Sequence, residues 1–157
     1  MRKAGLLFTL SLLLPSLRAA NVEIVRPHIA FLSDADVGVA CKWPGLRGCT
    51  TLQTEFICAC KQSGDKWTLK PRLIATPYIY TTTQEIIRHE MGHIADVRSS
   101  LNEYAGSLLL RSFQSREACA AFVGEESRLF SSTMRDIQRI TVLRRDGAHY
   151  LSREGDH

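Results

Sequence analysis

The chain has 157 residues, 45% of them hydrophobic and 23% charged, with a formal charge of +4. Three of its cations, Arg2, Lys3 and Arg18, fall within the first 20 residues, and removing them leaves +1, which gives no electrostatic basis for a nucleic-acid partner. The rest of the chain is long enough for one domain with a modest core.

Met1-Arg2-Lys3 is a short positive segment, Ala4 to Leu14 an apolar run, and Pro15, Ser16 and Ala19-Ala20 a small-residue exit. This is the pattern of a secretory signal peptide. The apolar run is about half the length a membrane span needs. The predicted division is a signal peptide over 1–20 and a single domain over 21–157, secreted or periplasmic. No membrane anchor is expected after cleavage, because no later stretch is apolar enough and no cysteine sits near the cut to carry a lipid. The five cysteines (Cys41, Cys49, Cys58, Cys60, Cys119) are then expected to form disulfides. The four between 41 and 60 are placed to staple the N-terminal half, with Cys58 and Cys60 on one strand face, each bridging a different partner. One of the five is left over.

Residues 21–81 read as β-rich. Val22 to Phe31 is a strand interrupted by Pro27, and Lys42 to Thr51 a loop. Leu52 to Cys60 alternates, with Phe56, Cys58 and Cys60 on one face and Ile57 on the other. Ser63-Gly64-Asp65 turns the chain into Trp67 to Tyr80, which predicts a hairpin. Pro71 and Pro77 confine that second strand to an edge or break it in two.

Beyond Thr83 the period changes. Thr82 and Glu85 have capping-box spacing, and Ile87, Met91, Ile94, Leu101, Ala105 and Leu108 recur at helical intervals. One helix over about 83–112 is predicted, then a turn at 113–115. A second helix follows, with Cys119, Phe122, Leu129 or Phe130, Met134, Ile137 and Ile140 on its apolar stripe. The expected fold is α+β, a small antiparallel β-sheet packed on a long antiparallel helical hairpin.

The chemistry concentrates in His89-Glu90-Met91-Gly92-His93. On a helix, His89 and His93 stand one turn apart on one face and can share one metal ion. Zinc accepts neutral imidazole nitrogen, and a catalytic site takes three protein ligands and a water. Glu90, rotated about 100° away, can take a proton from that water as it attacks a carbonyl. Gly92 costs a mid-helix position roughly 1 kcal/mol against alanine, which points to close approach of another element.

Residues Ile86 to Ala95 resemble the extended zinc-binding motif of the zincin metallopeptidases. That resemblance implies a zincin-like active-site helix, Zn2+ as cofactor, Glu90 as catalytic base and a peptide or protein substrate. The region from His89 to His149 further resembles the uncharacterised bacterial family of predicted secreted zinc-dependent proteases, through His89/His93, Cys119 and Asp146/His149. The Thr usual between the closing Asp and His is absent here, and Tyr150 stands where Gly is expected.

The candidates for the third metal ligand are Asp96, Glu103, Glu117, Glu125, Glu126 and His149, of which Glu117 and His149 are the leading two. Glu117, 24 residues beyond His93, is what a gluzincin resemblance favours, taking a Glu from a following helix. A hairpin turning near 113 would leave it roughly 24 Å away along the axis. The same hairpin sets residues near 133–137 opposite the histidines and brings the chain after the second helix back to the metal end. There His149 is the ligand candidate, with Asp146 orienting an imidazole. The segment Tyr78-Ile79-Tyr80 is a candidate edge for an extended peptide, and Tyr150, Tyr104 and His28 are candidate oxyanion partners. Arg135, Arg139, Arg144 and Arg145 read as a solvated helix face. The competing expectation is a non-catalytic exported binding protein with a structural zinc site, closed by four protein ligands.

Overall fold

The computed structural model describes residues 21–146. In chain order these form β1 (Asn21–Ile24), β2 (His28–Phe31), α1 (Asp34–Ala40), β3 (Gly48–Ser63), β4 (Lys66–Thr81), α2 (Gln84–Leu109), β5 (Ser112–Phe113) and α3 (Arg116–Asp146). The signal peptide expected over 1–20, and His149 and Tyr150, lie outside the described residues.

Alternation builds the centre of the sheet. Along β4 every second residue from Leu69 to Thr81 is buried, and β3 pairs with it antiparallel from Gly48↔Thr81 to Ser63↔Lys66. Gly64 closes the hairpin at a φ of 65°, a conformation glycine adopts without a Cβ clash. The other flank of β4 carries three short partners. β1 and β2 run parallel to it (Asn21↔Arg72, His28↔Tyr78) and β5 runs antiparallel (Trp67↔Phe113). The sheet is therefore mixed, which corrects the antiparallel expectation. Alternation reports which face a residue takes, not which way its neighbour runs.

β4 is also central and unbroken, against the expectation set by its prolines. Pro71 falls between the partners of β5 and β1, and Pro77 between those of β1 and β2. A missing N–H on that flank removes no ladder bond.

The helical hairpin is corrected too. Both helices are seated on one face of the sheet, and the stretch joining them adds β5 to β4. The core is shared three ways: Leu73 and Ala75 of β4, Val97, Leu101 and Ala105 of α2, and Phe130 and Met134 of α3. Each of the larger side chains contributes roughly 1.5–3 kcal/mol on burial. In α2 the buried stripe runs through Glu90, His93, Ile94, Val97 and Leu101. Met91 is turned outward, 42% exposed.

Two disulfides form, Cys41–Cys49 and Cys60–Cys119. The second ties β3 to the first turns of α3 across 59 residues, a loop whose closure is worth roughly 4 kcal/mol on a chain-entropy account. Cys58 is a free thiol, half-buried and raised by that burial above its ordinary pKa, so it does not bridge as expected. Two disulfides are compatible with an extracellular location. No helix among the described residues is long and apolar enough to cross a membrane.

Candidate metal centre

The site is assembled where α2 leaves the sheet. Thr83 caps α2 with extended backbone but no side-chain bond, so the predicted capping box is not formed. Thr82 instead bonds the loop before β3, its N–H and Oγ1 both donating to the Arg47 carbonyl, at 3.0 and 3.3 Å. That clasp sets Gly48 against α2. A Cβ at Gly48 would run into Ile86 and stand 3.6 Å from Glu90 Oε1, so only glycine lets the strand come this close.

Two positions further, Thr50 Oγ1 donates to Glu90 Oε2 at 2.7 Å. Glu90 is 4% exposed, and this bond offsets part of the cost of burying a carboxylate. Its Oε1 makes no hydrogen bond among the described residues.

His89 and His93 face one another across one helical turn, Nε2 to Nε2 at 3.1 Å, with their rings edge to face. Burial holds His93 below the ordinary imidazole pKa, against the opposing pull of Asp146 and Glu90. Its neutral form, the one that ligates metals, is therefore favoured.

Asp146, the last residue of α3, completes the group. Its Oδ1 lies 2.9 Å from His89 Nε2 and its Oδ2 3.4 Å from His93 Nε2. The shorter approach is not an aligned hydrogen bond, since Asp146 Oδ1 is buried without a hydrogen-bond partner among the described residues; His93 Nδ1 is likewise buried and unpartnered among them. The two oxygens of the Asp146 carboxylate thus each face one of the two imidazole nitrogens.

Arg145 fixes this end of α3. Its guanidinium occupies the space a Gly92 Cβ would take, and its Nε donates to Asp96 Oδ2 at 2.8 Å. The close approach inferred from Gly92 is that of α3, and Asp96 is an ion-pair partner held below the usual carboxylate range by Arg145.

The structure brings His89, Glu90 and His93 together, and Glu117 is not with them. Glu117 occupies the first turn of α3, about 43 Å along that helix from Asp146 at 1.5 Å per residue. Glu125 pairs with Arg128, and Glu126 accepts from Tyr104. Tyr104 also packs on Phe56 and Phe130 in the core, which removes it as an oxyanion partner. His28 stacks on Tyr78, and Tyr78 to Tyr80 lie in β4, flanked on both sides, so they are not an edge. The contact of Asp146 with both imidazoles went beyond the orienting role read from the sequence. Its signal was an acidic residue closing a helix that returns to the histidines.

The site opens on a cleft of about 930 Å³ between the start of β3, the histidine face of α2 and the last third of α3. Among the described residues β3 pairs only with β4, so the flank of Gly48 to Leu52 beside the cleft is a free sheet edge.

Comparison of the chain with protein-family models, with curated proteins and with solved structures gave no match. The ligand atoms of His89, Glu90 and His93 lie within 4.8 Å of one another and could hold a metal ion.

Proposed function

We propose that this chain is an exported zinc-dependent metallopeptidase in which His89, His93 and Asp146 hold the metal and Glu90 is the general base. One observation carries the reading. The Nε2 atoms are 3.1 Å apart, and the Asp146 oxygens stand 2.9 and 3.4 Å from them. Ligands on a tetrahedral zinc with bonds near 2.0 Å are separated by roughly 3.3 Å. Two neutral imidazoles and a carboxylate suit zinc, and three protein ligands leave a position for water.

Zinc bound there would supply Lewis acidity and bring the pKa of a water toward about 7. The protein's part is positional. Thr50 holds one oxygen of Glu90 at 2.7 Å, and the free oxygen takes the water's proton and then delivers it to the departing amine. The edge of β3 offers backbone groups on which an extended peptide can lie as an added strand. Two disulfides and the leader pattern support a secreted or periplasmic protein.

A second reading is a structural zinc site in a non-catalytic binding protein. It is favoured by the position of His149, three residues beyond Asp146, as a fourth protein ligand that would close the site. One experiment separates the two. Metal analysis and cleavage of an unfolded protein are measured on the parent, Glu90→Gln and His149→Ala. The peptidase reading expects zinc in all three and cleavage lost with Glu90→Gln. Cleavage by Glu90→Gln at the parental rate, or none by a zinc-loaded parent, removes it.

A further inference from the structure

The charges around the cleft are not used by the chemistry above. Arg47 lines it from the loop before β3, and Arg135 and Arg139 line it from α3. Their spacing of four residues puts the last two on the same face as Val142 and Asp146. Among the described residues none of the three makes an ion pair; the arginines that do are Arg72, Arg128 and Arg145. Against these three cations the described part of the cleft lining carries two carboxylates, Glu90 and Asp146, both engaged at the metal centre. Among the described residues the lining is net positive by one, and by three with a divalent ion in place. Arg135 and Arg139 are exposed, as expected of a solvated helix face, and that face borders the cleft.

We infer that the cleft selects peptides carrying a carboxylate on one side of the cleaved bond, with Arg135, Arg139 and Arg47 as the specificity-determining residues. Guanidinium groups suit this task because their paired donors match the two oxygens of a carboxylate. A cleft of one sign also concentrates oppositely charged ligands. Along α3, Arg139 is about 10 Å and Arg135 about 16 Å from Asp146. An extended peptide advances about 3.3 Å per residue, so the carboxylate falls roughly three to five residues from the scissile bond. It can be an Asp or Glu side chain or a free C-terminus.

The inference rests on the peptidase reading, and its test keeps the two apart. Affinities of unlabelled decapeptides for the zinc-loaded Glu90→Gln protein are measured by calorimetry. The peptides are glutamate-containing with an amidated end, glutamine-containing with an amidated end, glutamine-containing with a free carboxylate, and lysine-containing with an amidated end. At least one carboxylate-bearing peptide is expected to bind about tenfold or more tighter than the amidated glutamine peptide. Which of them does so identifies the source of the anion. The advantage shrinks with added salt and disappears in an Arg47→Gln/Arg135→Gln/Arg139→Gln variant, whose changes are all at exposed positions. Equal affinities, no binding by any peptide, preference for lysine, or a preference that survives in the triple variant overturns the inference. Cleavage by the parent is scored separately. Charge preference without cleavage removes the peptidase reading and, with it, the placement of the carboxylate relative to a scissile bond, leaving an anion-selective peptide cleft; cleavage without charge preference removes this inference alone.

Discussion

Arg145 reaches across the backbone of Gly92 to donate to Asp96 at 2.8 Å, and the residue after it is the one that touches both imidazoles. The ion pair acts as a clamp that sets where α3 ends against α2. A Gly92→Ala change should gain up to about 1 kcal/mol of helix propensity and lose the seat of the guanidinium. The expected outcome is a melting temperature close to the parent's with zinc affinity down about tenfold, the size of effect seen for groups that support metal ligands. Parental affinity in a zinc titration would show that the clamp does not position Asp146.

Asp146 and Glu117 are distinguished directly by metal binding. Asp146→Ala should lower zinc affinity by more than the roughly 10–100-fold lost when a supporting partner is removed. Glu117→Gln, at the other end of α3, should leave it unchanged. The same titration, run on both variants, reads the two results side by side.

Thr50 gives a test of Glu90 that leaves the metal alone. Thr50→Val keeps the shape and removes the donor, and should lower kcat by on the order of 100-fold, the lower end of what a general base contributes. Thr50→Ser restores the donor and most of the rate. Zinc content equal to the parent's in both variants ties the loss to the carboxylate; an unchanged kcat in Thr50→Val would free Glu90 from this partner.

The metal-free protein should lose stability as the pH falls from neutral. Burial depresses His93 below its ordinary value of 6.5. Between that value and the folded one, the unfolded chain binds the extra proton, so stability rises with pH across this window and falls on acidification. Asp96, depressed by Arg145, acts at lower pH: its contribution is present above the ordinary carboxylate range and is lost as the pH drops through the folded value. Urea midpoints at a series of pH values check both, and the upper slope should flatten in His93→Gln.

Replacing Cys60 and Cys119 together by Ser should cost roughly 4 kcal/mol, read as a lower urea midpoint. Cys58→Ser, at a half-buried free thiol, should change stability by less than about 1 kcal/mol.

The features legible in the sequence were the local ones. The helix carrying His89 and His93 was read as 83–112 and spans Gln84–Leu109, because its apolar interval and its paired histidines are internal to one segment. The alternation of Phe56, Cys58 and Cys60 gave the correct face of β3. What the sequence hid was set by distant partners. Asn21 pairs with Arg72, and nothing in either segment states the direction of that pairing. The residue meeting the histidines is Asp146 rather than one at 133–137, because β5 and the Arg145–Asp96 pair fix the offset of α3. Phe130 was preferred to Leu129 for the same reason: Phe130 stacks on Phe56 of the sheet, a contact no period contains. The short helix Asp34–Ala40, capped by Ser33 on the Asp36 N–H, carries too few turns to show a period.

Among the described residues, each of the other four strands is bonded to β4 and to no other. Synthesis proceeds from the N-terminus, so β1 and β2 leave the ribosome before the strand that receives them, and only β3 and β4 meet through a tight turn. Until residues 66–81 follow, Ile29 and Phe31 have no sheet to join, and even in the finished fold they stay 45% and 58% exposed. The first strands of the domain must thus wait for a strand made about forty residues later, and that sticky interval is where a holding chaperone would be needed.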